Sequence, residues 1–94
     1  MFELFKQCCE TVQKMHEKRI MHRDLSPYHI LVDDNHKLKI SGFGLSKYMG
    51  YYDYASDVVG AIDYRAPEVD KGKYRNIADF WSVCATFIEA VSGY

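Results

Sequence analysis

At 94 residues, with 48% hydrophobic and 15% aromatic content, the chain has the makeup of one small folded domain, which excludes a disordered tail. A net charge of -1 and an isoelectric point near 6.4 supply no basic surface, so neither nucleic acid nor a membrane is expected as partner. Met1 to Arg19 mixes charged and apolar side chains where a signal peptide would hold an apolar block, and the odd cysteine count reads as three buried free thiols, so a reducing, cytoplasmic setting is expected.

Residues 2–18 predict an amphipathic helix. Phe5, Cys8, Cys9, Val12, Met15 and His16 recur every three or four positions, with Glu3, Lys6, Glu10, Lys14 and Glu17 opposite. Glu10 and Lys14 form an i,i+4 pair in the favourable order, worth about 0.3 kcal/mol. Ile30-Leu31-Val32 and Lys37-Leu38-Lys39-Ile40 predict two strands joined by Asp33-Asp34-Asn35-His36, whose side chains favour a turn, hence a hairpin. Gly42 to Gly60 has no period and is read as one long loop. Pro67 opens a short helical turn ending near Gly72. Ile77 to Val91 predicts a helix with Phe80, Trp81, Val83, Cys84, Ala85, Phe87, Ile88, Ala90 and Val91 all round it, and Gly93 as its C-cap. Such a helix needs cover on every side, yet it is too short to span a bilayer. The expected fold is mainly α with a short β-hairpin, as one partial α+β domain over 1–94. A chain of this kind is expected to be marginally folded or poorly soluble alone.

Four motifs follow one another. They are His22-Arg23-Asp24-Leu25; Ser41-Gly42-Phe43-Gly44 closing the hairpin; Gly60-Ala61-Ile62-Asp63-Tyr64-Arg65-Ala66-Pro67-Glu68; and Asp79-Phe80-Trp81-Ser82 opening the last helix. In this order and spacing they resemble the eukaryotic-type protein kinases, and the form Tyr64-Arg65-Ala66-Pro67-Glu68 looks more like the serine/threonine than the tyrosine branch. The resemblance covers the central part of the C-terminal lobe. The 94 residues hold no Gly-rich loop, no Val-Ala-Ile-Lys strand and none of the family's last helices.

The resemblance implies roles residue by residue. Asp24 matches the base that accepts the substrate hydroxyl's proton; its structural alternative is a carboxylate fixing the loop. Ser26 stands where serine/threonine kinases have a phosphate-neutralising lysine, and Ala61 where they have a threonine tethering the catalytic loop. His29 and Gly42 occupy the two magnesium-ligand positions, and neither offers the oxygen that a hard cation wants. Arg23 matches the arginine that receives an activation-loop phosphate. Asp57 is the candidate fixed anion for it, against the alternative of a solvated side chain, and Ser46, Tyr48, Tyr51, Tyr52, Tyr54 and Ser56 are candidate phosphosites. His22 and Phe43 match spine positions, Leu31 an adenine contact, Glu68 the partner of an arginine beyond the last helix, and Asp79 a buried aspartate holding the catalytic loop. For His22, Phe43 and Leu31 an ordinary core role is the simpler expectation. His16, His22, His29 and His36 with Cys8 and Cys9 lack any Cys-x-x-Cys or His-Glu-x-x-His spacing, so zinc is not expected.

Three functions stay open at this level. The first is an inactive, pseudokinase-type binding module with no cofactor of its own and a kinase chain or chaperone as partner. The second is part of a longer serine/threonine kinase using ATP and magnesium. The third is a decayed gene fragment.

Overall fold

A computed structural model describes residues 2–49 and 54–92. Helix α1 (Phe2–Glu17) forms as its apolar spacing dictates: Cys8 and Val12 are fully buried, and the charged side chains face out. Arg19, at φ +63°, turns the chain out of α1 into strand β1 (Ile20–Met21). Strands β2 (Ile30–Val32) and β3 (Leu38–Ile40) make the expected antiparallel hairpin, with Ile30 opposite Ile40 and Val32 opposite Leu38. Asp33 builds its turn. One carboxylate oxygen accepts the N–H groups of Asn35 and Lys37, each at 2.9 Å. Those bonds, that from Lys37 foremost, hold the Asp33 carboxyl below its usual range. The stability they lend is present above the ordinary carboxylate range and is lost as pH falls through the lowered value.

The segment after the hairpin corrects the long-loop expectation. Phe43–Leu45 form a 3₁₀ turn, and β4 (Lys47–Tyr48) pairs antiparallel with β1, placing Ile20 opposite Tyr48 and Met21 opposite Lys47. A two-residue strand carries no periodicity, so nothing in the local sequence marks it. Helix α2 (Pro67–Asp70) starts on proline, and Gly72 at φ +73° follows it. Helix α3 (Ile77–Ser92) follows and packs against α1. Gly93, the expected cap, lies outside the described residues.

Two apolar clusters share α3. Val83 joins Cys8, Val12 and Leu25, with Phe5, Ile30, Leu38, Ile40 and Phe87 packed around them. Ala78 joins Met21, Met49, Ala55, Ala66, Val69 and Tyr74. Phe5 meets Phe87 edge-on at 5.3 Å, locking α1 to α3. The Gln7 side chain clamps the hairpin to α1, accepting the Leu38 N–H at 3.1 Å and donating to the His36 carbonyl at 3.3 Å.

Among the described residues, the cover that the apolar residues around α3 call for is present on one face only. One face buries Ala78, Asp79, Ser82, Val83 and Thr86, whereas Ile77, Trp81, Ile88 and Val91 are exposed. Beside them an open apolar groove of about 530 Å³ is lined by Phe2, Phe5, Cys84, Phe87 and Ile88.

The cysteines are likewise not uniformly buried: Cys8 is enclosed, Cys9 half-buried and Cys84 exposed. Burial, with the neighbouring Cys9, pushes the Cys8 thiol up to about 12. Maleimide followed by peptide mass mapping is therefore expected to label Cys84 first and Cys8 only after unfolding. Equal rates would show that α1 does not seal against α3.

Candidate functional site

The loop from His22 to His29 is built around one carboxylate. Asp79, in the first turn of α3, is 1% exposed. Its Oδ2 accepts the His22 backbone N–H at 2.8 Å and its Oδ1 the Arg23 N–H at 3.0 Å. His16 Nε2 also donates to Oδ2 at 2.8 Å, bringing α1 to the same point. These bonds hold Arg23 at φ +72°, a conformation that costs a non-glycine residue about 1 kcal/mol or more. Gly60 then closes over the loop, at φ +97°, so near that a Cβ there would lie 2.5 Å from the Arg23 carbonyl oxygen.

His22 is fully buried, and its surroundings select one tautomer. Nδ1 accepts the Asp24 N–H at 3.1 Å, so the proton sits on Nε2, which donates to the Ser41 carbonyl at 2.7 Å. The ring rests on Phe43, centroids 4.8 Å apart. His22 thus takes the expected core position. Phe43 at 44% and Leu31 at 49% exposed do not, because the hairpin and the 3₁₀ turn carry both to the surface. Ser26 is buried, its hydroxyl accepting the Tyr28 N–H at 3.2 Å and its carbonyl bonding the His29 and Ile30 N–H groups.

Asp24, His29 and Gly42 meet in space. His29 Nδ1 lies 2.9 Å from the Asp24 carbonyl oxygen and 3.4 Å from Asp24 Oδ2. The His29 backbone carbonyl accepts the Ser41 N–H at 2.8 Å, anchoring β2 beside Gly42. Gly42 adopts φ +75° and ψ +44°, and a Cβ built on it would fall 2.4–2.6 Å from the His29 ring atoms.

Arg23 ties four segments together. Nε donates to the Leu45 carbonyl at 2.7 Å, and Nη1 lies 3.4 Å from Asp57 Oδ2 and 3.3 Å from the Tyr74 hydroxyl. That hydroxyl donates to the Asp57 carbonyl at 2.5 Å, while Ala55 and Tyr74 exchange both backbone bonds. Asp57 is 66% exposed, which limits the pair to under about 1 kcal/mol. Tyr74 was not singled out from sequence, since its role depends on partners distant along the chain. Tyr64 was read from sequence only as part of its motif; its hydroxyl donates to Glu89 on α3, and that bond pushes the phenol up to about 12. Both tyrosines tie the segment after the hairpin to the rest of the fold.

The remaining candidates lie apart from this centre. Ala61 is exposed and presents a methyl group. Among the described residues no ion pair involves Glu68; Arg65 pairs instead with Asp70 at 2.6 Å. Tyr54 is flanked by Lys73 and Arg75, at 4.6 and 4.2 Å from its ring centre. Tyr51 and Tyr52 fall outside the described residues. Among the described residues no three His, Cys, Asp or Glu side chains converge as a metal site.

Comparison with known protein families matches the sequence of residues 1–94 to the protein kinase domain. The chain is 38% identical over 89 residues to cAMP-dependent protein kinase type 3 of Saccharomyces cerevisiae, a match covering 94% of this chain and 22% of the yeast protein. It is 39% identical over 84 residues to serine/threonine-protein kinase AtPK1/AtPK6 of Arabidopsis thaliana, covering 88% of this chain and 18% of the relative. With human serine/threonine-protein kinase Nek10 the identity is 40% over 85 residues, covering 88% and 7%. The chain thus spans less than a quarter of each of these three relatives. With a catalytic-type loop pinned by the first turn of α3 and this match along its whole length, the chain belongs to the protein kinase family.

Proposed function

We propose that this chain is a kinase-like module that works by binding a protein partner and transfers no phosphate. The arrangement of Asp24, His29 and Gly42 carries the reading. Kinases use magnesium to hold ATP and to offset charge on the transferring phosphoryl group, and this chemistry is almost entirely positioning and electrostatics. Magnesium wants hard oxygen donors in octahedral geometry. Position 29 here offers an imidazole whose Nδ1 is already committed to Asp24, and position 42 offers no side chain. The donor set does not fit the ion. Ser26 adds to the deficit, because its short buried hydroxyl is spent on the Tyr28 N–H and cannot neutralise a phosphate. Thermal melting with ATP and magnesium is expected to leave the midpoint unmoved. A rise of several degrees, or labelled phosphate passed to a protein and abolished by Asp24→Ala, would contradict the reading.

The exposed apolar face of α3 supports a binding role, since contiguous apolar surface marks interaction sites. A kinase chain or a chaperone is the partner class proposed. Asp57 is proposed as a fixed anion for Arg23 that orders the segment without phosphorylation. Asp57→Ala is then expected to speed proteolysis between residues 54 and 60 by a few-fold; unchanged cleavage would reject the pairing.

A second reading, part of a longer ATP-dependent serine/threonine kinase, is favoured by the retained Asp24, by the Arg23 and Asp79 contacts, and by the fraction of each relative that the chain spans. Phosphotransfer by the chain together with whatever sequence flanks it in its gene would decide for this second reading.

A further inference from the structure

The substitutions at positions 29 and 42 form one physical unit. Nδ1 of His29 faces two oxygens of Asp24, the carbonyl at 2.9 Å and Oδ2 at 3.4 Å. Both are acceptors, so Nδ1 must carry a proton. The face of the ring lies where a side chain on residue 42 would begin, with Cδ2, Cγ and Nε2 at 2.4, 2.5 and 2.6 Å from the ideal Cβ position. Contacts below 3 Å force atoms to move, and little gives way here. The ring is held on one side by Asp24, while its backbone is held by the Ser41 N–H on the His29 carbonyl and by the Ser26 carbonyl on the His29 N–H. Gly42 also sits at φ +75°, which a side chain resists in its own right.

We propose that the His29 imidazole is an internal plug: it fills the space that a side chain at position 42 would enter and holds Asp24 with its Nδ1 proton. The glycine is the residue this ring requires, so a carboxylate cannot be restored at position 42 while the imidazole stays. This rests on the same residues as the binding reading without depending on it. A chain that proved active would still have to show the plug or lack it.

Three measurements test the plug. Long-range ¹H–¹⁵N correlation on the unaltered chain is expected to find His29 protonated at Nδ1 and His22 at Nε2, opposite tautomers in one molecule. His29 protonated at Nε2 alone would overturn the proposal. In a double-mutant cycle, Gly42→Ala is expected to lower the melting midpoint by at least about 5 °C more in the unaltered chain than in a His29→Ala background. Equal losses would overturn it, and a Gly42→Ala chain that unfolds while the double variant folds would support it. If both unfold, the tautomer decides. Finally, manganese titrated against the variants is expected to broaden the amide signals of the 24–42 region in His29→Asn/Gly42→Asp and not in Gly42→Asp. Equal broadening in both would sink the plug. Manganese binding by the unaltered chain would count against the binding-only reading and leave the tautomer result standing.

Discussion

Asp79→Ala is expected to cost about 3–5 kcal/mol, because it strands buried donors rather than merely deleting a contact. The carboxylate is 1% exposed and takes the N–H groups of His22 and Arg23 together with His16 Nε2. Without it, the buried His22 N–H and the part-buried Arg23 N–H lose the acceptor that the described residues give them, and Arg23 loses the bond that holds it at positive φ. Total stabilities of about 5–15 kcal/mol are usual for domains, so such a loss leaves little or nothing. Urea unfolding followed by circular dichroism measures it. Asp79→Asn keeps one acceptor oxygen and should fall between the parent and the alanine variant. His16→Ala removes a partner without stranding the backbone, and about 1 kcal/mol is expected. An Asp79→Ala midpoint within a few degrees of the parent would mean that the loop is not held from α3.

Gly60→Ala is expected to be the second most damaging small change, at about 2–4 kcal/mol. Two effects add: a non-glycine residue at φ +97° is strained by about 1 kcal/mol or more, and the new methyl group meets the Arg23 carbonyl oxygen at 2.5 Å. That oxygen is backbone, and its residue is pinned by Asp79, so relief on one side breaks a bond on the other. Two other glycines separate the contributions. Gly72, at φ +73°, has its nearest neighbour at 3.6 Å and should show the conformational cost alone, about 1 kcal/mol. Gly44 has open space around it and no positive φ, and Gly44→Ala should be close to neutral. A Gly60→Ala loss no larger than that of Gly72→Ala would refute the close approach.

How much of this was legible in the sequence follows from the range of the forces involved. Helix α1, the β2–β3 hairpin and α3 declare themselves because their residues answer to neighbours three, four or two positions away. The motifs around Asp24 and Tyr64-Arg65-Ala66-Pro67-Glu68 declare the family for a different reason, since a chemical task fixes residue types at fixed spacing. The β1–β4 pair does not declare itself. Met21 opposite Lys47 is a pairing across the chain, and two residues are too few to alternate. Which apolar side chains around α3 stay exposed, Trp81, Ile88 and Cys84 among them, was equally illegible, because an apolar side chain says that it could be buried and not whether anything arrives to bury it. The contact between His29 and Gly42 falls between these cases. Each departure is visible alone; that one makes room for the other depends on a φ angle and an ångström-scale distance.

Helix α3 serves two apolar clusters, through Val83 on one side and Ala78 on the other, with Asp79 set between them as a polar junction. Such a layout partitions tolerance to change. Drift among Met21, Met49 and Val69 can retailor the segment from Lys47 to Asp70 while the packing of α1 on the hairpin stays intact, and the reverse holds for Cys8, Val12 and Leu25. Under the proposed binding role, one half could therefore be remodelled for a new attachment, provided the Asp79 carboxylate at the seam is kept.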